Sequence, residues 1–137
     1  MDIIFLIGRI ALAGLFILSG TQFHFKPEAV EYARAKGAPS PETMVPASGV
    51  AMIAGGVMIA LGIWADVGAL ILLAALVPVS FIMHAFWRES DPQSQQMEFT
   101  NFFKNMQVAG GLIILFWVFN QGQDLPATLT DSLFDPF

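Results

Sequence analysis

Groups able to hold a proton, a charge or a metal are few in this chain, and they cluster. His24 and His84 are its two histidines, Tyr32 its single tyrosine, and cysteine is absent. The two imidazoles fall at the ends of two long apolar stretches, where they could ligate a haem or contact a quinone headgroup. Nothing in their spacing demands a metal, and histidines at a membrane boundary are often only structural. Asn101, Lys104, Asn105 and Gln107 stand together at the start of another apolar stretch. Capping and snorkelling account for polar groups in such a place; the functional reading is a polar patch shared with His24, Tyr32 and His84. Trp87, with Phe23, Phe25, Phe86, Phe102 and Phe103, forms an aromatic belt that could also line a lipophilic pocket.

Arg9 is different, because it lies about two turns inside an apolar stretch, where an unpaired charge costs at least about 2–3 kcal/mol. It can hold an anionic group of a ligand or neighbour, or it can reach its own headgroup region, about 10 Å away at helical rise. Without cysteine there are no disulfides, thiolate ligands or iron–sulfur clusters. A formal net charge of -5 makes nucleic acid an unsuitable partner. No Walker loop, dinucleotide fingerprint, HExxH or nucleophile elbow occurs, so an autonomous enzyme is not expected.

The elements that position these groups are membrane spans. Of 137 residues, 55% are hydrophobic and 12% charged, about half the charge of a soluble domain. A hydrocarbon core of about 30 Å takes roughly 20 apolar residues in a helix. Four spans are expected, near residues 3–23, 45–64, 67–87 and 102–119: an all-α four-transmembrane-helix bundle forming a single domain over 1–137. The apolar start lacks a basic n-region and a small-x-small cleavage site, and is expected to be a retained helix. Pro27 to Arg34, with proline at its start and Gly37 as its stop, is expected to be a short interfacial helix between the first two spans. Pro46 fits the first turn of the second span, and Pro78 should kink the third or free a carbonyl. Ala47, Ala51 and Gly55 recur every four residues and are expected to form a helix-packing face, with Leu72 on a lipid face. Residues 88–100 are expected to be a connection, and 120–137 a polar, acidic tail at the surface.

Five of the six basic residues, Lys26, Arg34, Lys36, Arg88 and Lys104, flank the two longer connections, against Arg9 on the other side. The positive-inside rule then puts those connections in the cytoplasm and both termini on the non-cytoplasmic side.

Several short motifs occur in register: Gly8-Arg9 with Ser19-Gly20, then Gly37-Ala38-Pro39-Ser40-Pro41, Gly55-Gly56 with Leu61-Gly62, His84-Ala85-Phe86-Trp87, and Asn101-Phe102-Phe103-Lys104-Asn105 before Gly110-Gly111. Their order resembles the DoxX family of small four-helix bacterial membrane proteins over nearly the whole chain. The resemblance implies an inner-membrane bundle linked to membrane redox systems. Relatives include a thiosulfate:quinone oxidoreductase subunit and a membrane partner of superoxide dismutase and a sulfurtransferase. Many members carry a glutamate where this chain has Met52 and a lysine where it has Phe23, so polar groups are lost where a ligand or proton site would be.

The expected function is therefore a redox-associated accessory or assembly subunit of an electron-transfer membrane complex. The alternatives are a quinone-interacting oxidoreductase subunit and a small lipophilic-solute carrier. The lipid bilayer and other membrane subunits are the expected partners, and no intrinsic cofactor is expected beyond a possible quinone. The candidate binding residues are His24, Tyr32, His84, Trp87, Asn101, Lys104 and Asn105.

Overall fold

A computed structural model describes residues 2–121 and 125–134. The described chain is helical. Four of its helices are long and apolar enough to cross a membrane: α1 (Asp2–Gln22), α3 (Pro41–Leu61), α4 (Ala65–Met83) and α5 (Pro92–Phe119). The short α2 (Pro27–Ala35) joins α1 to α3, and a single 3-10 turn (Phe86–Arg88) follows α4. Helix α1 packs on α3, α3 on α4 and α4 on α5, while α2 lies against α3. Edge-on packing of Phe5 against Phe119, with ring centroids 6.0 Å apart, brings α1 to α5.

In lipid no water is expelled when helices meet, so close backbone approach must supply the packing energy. Two glycine pairs provide it. A Cβ on Gly20 would stand 2.8 Å from the Gly49 carbonyl, joining α1 to α3, and a Cβ on Gly55 would stand 2.9 Å from the Gly68 carbonyl, joining α3 to α4. Ile59, Leu72 and Leu112 complete the buried interior. Of the expected packing face only Gly55 sits in a tight contact; Ala51 is half-buried and Ala47 exposed. Leu72, expected on a lipid face, is fully buried against Gly55. Four-residue spacing marks a stripe but not its partner, and the Gly55–Gly68 approach turns Leu72 inward.

Two boundaries differ from the sequence expectation. Helix α3 begins at Pro41, so Pro46 lies inside it rather than in its first turn. Helix α5 begins at Pro92, ten residues before the expected start at 102: the Asp91 carboxylate caps the Ser94 amide at 2.9 Å, and Pro92 occupies the first helical position. At 28 residues, α5 is about 42 Å long and overruns a core of about 30 Å. Its polar first turns were read as connection because apolarity, not helicity, defined the span.

Residues 125–134 of the C-terminal segment fold back onto the tight α3–α4 hairpin, with Leu129, Leu133 and Phe134 exposed. Leu129 and Thr130 donate their backbone N–H to the Gly62 carbonyl at 3.0 and 3.1 Å. Thr130 Oγ1 accepts from the Trp64 amide at 2.8 Å. Residues 122–124 and 135–137 of the expected tail lie outside the described residues.

Candidate functional site

Two groups of buried polar side chains stand at opposite ends of the bundle. At the hairpin end, Arg9 is 2% exposed. Its guanidinium donates to the carbonyls of Ala127 at 2.6 Å, Pro126 at 3.1 Å and Ala60 at 3.4 Å. It therefore neither snorkels to headgroups nor faces a carboxylate; carbonyls of the folded-back tail and of α3 hold its two terminal nitrogens, while its Nε, like Asp66 Oδ1, is buried without a partner among the described residues. Asp66, fully buried, accepts from the amides of Leu133 at 2.8 Å and Phe134 at 3.0 Å. Both charges pin the tail, so this end is sealed.

At the other end, Glu98 on the second turn of α5 is 1% exposed. Its Oε1 accepts from Tyr32 at 3.0 Å and from the Lys36 ammonium at 2.8 Å. Its Oε2 lies 2.8 Å from His84 Nδ1, and Lys36 also reaches Glu89 at 2.6 Å. A buried carboxylate is tolerable only when it is paired and its lone pairs are filled, and here α2 with its C-cap and the end of α4 fill them together. Burial works against the Lys36 ammonium, but hydrogen bonds to Glu89 and Glu98 outweigh it and hold the amine above its ordinary range. Burial, then the hydrogen bond to Glu98, raises the Tyr32 phenol above its usual value.

This cluster closes one end of a cavity of about 760 Å³. The cavity exists because α3 and α4 are locked at the hairpin by Gly55 and Gly68, while α2 covers the gap between the helices at the far end. Its walls are apolar, with Ala47, Ala51 and Met52 from α3, Ala74, Ala75, Pro78 and Val79 from α4, Phe16 from α1 and Phe23 from the turn after it. Polar groups enter from Ser19, His24, Tyr32, Ser48, His84 and Asn105. Asn105 donates to Ser80 Oγ at 3.0 Å, and Ser80 donates to the Leu76 carbonyl at 2.7 Å. An apolar chamber of this size with a few convergent polar groups suits an amphipathic small molecule.

Of the sequence candidates, His24, Tyr32, His84 and Asn105 meet at the cavity wall. Trp87 is half exposed and belongs to an aromatic cluster with Phe81, Phe86 and Phe102. Asn101 does not line the cavity, and Lys104 is exposed. Sequence reasoning passed over Glu98, Lys36 and Glu89. The Asp91-Pro92 helix start was the missed signal: it extends α5 to Glu98, after which Glu98, Phe102, Asn105, Ala109 and Leu112 form one stripe of four- and three-residue steps. Met52, standing where the resemblance places a glutamate, lines the same cavity that Glu98 borders through Tyr32 and His84.

Four spans, a hairpin end pinned by the tail and an apolar cavity under a surface helix define a small polytopic membrane protein. A match to the DoxX family covers residues 4–85, and the chain belongs to that family. No curated protein and no solved structure matches it. The matched region holds α1 to α4 with His84; Glu98 and Asn105 come from α5, beyond it.

Proposed function

We propose that this DoxX-family chain is a redox-associated component of the bacterial inner membrane that holds a lipophilic, quinone-class molecule in the cavity beneath α2. In that role it serves as an accessory subunit of an electron-transfer complex. The observation that supports this reading is the apolar cavity of about 760 Å³ bordered at one end by Tyr32 and His84 on buried Glu98. The apolar walls suit a tail or ring, and the imidazole and phenol suit an oxygenated headgroup. The outward faces of α1 (Ile3, Ile4, Ile7, Ile10) and α5 (Ile113, Ile114, Trp117) are exposed and apolar, as contact with lipid or with neighbouring subunits requires. The charge bias of the loops supports an orientation with both termini on the non-cytoplasmic side.

Purification in a mild detergent, followed by solvent extraction and mass spectrometry, tests the reading. Quinone should accompany the wild-type chain and be lost from Ala51→Phe, which fills the cavity without touching the Glu98 cluster. Equal quinone in both preparations, or in neither, would refute it.

A further inference from the structure

Hydrogen-bond directions around the cavity favour one kind of headgroup. His24 Nδ1 lies 3.0 Å from the Ser19 carbonyl oxygen. A carbonyl brings no proton, so the ring nitrogen donates, and in the neutral imidazole Nε2 is left as an acceptor. His84 Nδ1 faces a Glu98 carboxylate that already receives the Lys36 ammonium and the Tyr32 hydroxyl. It too donates, leaving Nε2 as the one remaining polar atom of a ring that lines the cavity. Ser48 spends its proton on the Val45 carbonyl at 2.7 Å. Ser19 and Asn105 each keep a proton to offer, because Asn105 uses only one N–H on Ser80. Four of the six polar side chains therefore meet the cavity as acceptors, and a ligand with only carbonyl oxygens leaves them unmatched in an apolar chamber.

Resting on the reading of the cavity as a lipophile site, we propose that it selects lipophiles carrying a free hydroxyl, a hydroquinone in preference to its quinone, with Nε2 of His84 as the accepting atom. The titratable groups around His84 are Tyr32 on α2, Lys36 at its end, Glu89 in the connection and Glu98 on α5. The turn after α1 adds His24 at the cavity wall, and α3 lines the cavity with no titratable side chain.

The test uses the full chain in mild detergent, with binding read by tryptophan quenching for decylubiquinol, its dimethyl ether, decylubiquinone and farnesol. At about pH 8 decylubiquinol should bind about tenfold more tightly than the ether or the quinone. His84→Leu should abolish this advantage, whereas His24→Leu should keep it. Farnesol binding as well as decylubiquinol marks any hydroxylated lipophile as ligand, and farnesol failing marks the hydroquinone ring; both support hydroxyl selection. Quinone or ether binding as tightly as decylubiquinol overturns the hydroxyl preference while leaving the cavity reading in place, provided Ala51→Phe abolishes binding. If no probe binds, the cavity reading falls and hydroxyl selection falls with it. The wild-type series decides the matter even if a variant does not fold.

Discussion

At the hairpin end, Arg9 and Asp66 lose their water to backbone partners: carbonyls of Ala60, Pro126 and Ala127 for the cation, amides of Leu133 and Phe134 for the anion. At the α2 end, Glu98 is satisfied by three side chains, from α2 with its C-cap and from the end of α4, two of which also border a cavity. Backbone partners have fixed proton inventories and seal what they bind. Side-chain partners can change protonation or position, and they leave unfilled valences facing the chamber. The contrast separates a structural use of intramembrane charge from a site able to respond to a ligand.

The sharpest way to break this comparison lies at the hairpin itself. Gly55→Leu, whose Cβ would press within 2.9 Å of the Gly68 carbonyl, should prevent the bundle from assembling, since backbone cannot yield as a flexible side chain can. A Cβ on Gly111 would meet nothing within 4 Å, so Gly111→Leu should leave thermal stability in detergent within about 0.5 kcal/mol of wild type. Similar yields of monodisperse protein from both variants would show that the hairpin is not the anchor.

Glu98→Ala comes next. It strips the shared acceptor from Lys36, Tyr32 and His84 and should cost about 2–3 kcal/mol, below the usual range for a broken buried pair because Lys36 is 20% exposed and keeps Glu89. Thermal unfolding in detergent measures this, and release of α2 should show as faster amide exchange over Pro27–Ala35.

Asp66→Asn should have a smaller effect, about 1–2 kcal/mol, by weakening the acceptor for two amides. Its signature is local: cleavage of the 125–134 segment by added protease should accelerate while ligand binding at the far end is unchanged. Loss of ligand binding in this variant would show that the two ends are coupled.

The smallest effect concerns pH. Tyr32 and Lys36 are both held above their ordinary values. Their contribution to docking α2 is therefore complete below those values and is lost only as pH rises through the raised ones. Because Tyr32 is the single tyrosine, its phenolate absorbance reports this directly. Half-titration should fall above the ordinary 10.0, and Glu98→Gln should move it back. A phenol titrating at its ordinary value in the wild-type chain would dissolve the cluster.

Much of this protein was determined by sequence alone, for a simple reason: the bilayer imposes a length and an apolarity on every span. The four-helix architecture, the α2 interfacial helix, the tight hairpin after Trp64 and the gathering of His24, Tyr32, His84 and Asn105 at one end all follow from that constraint. Tertiary structure decided where polar groups go once helices meet. Arg9 had no acidic partner to be found by reading, because its partners are carbonyl oxygens, which every residue possesses and no sequence marks. Glu98 looked like loop because helix α5 outruns the membrane, and hydropathy ends where the bilayer does while hydrogen bonding does not. Leu72 looked as lipid-facing as any leucine until the Gly55–Gly68 approach turned it inward. The cavity belongs to no segment: it is the space left when α3 and α4 are locked at one end and covered by α2 at the other.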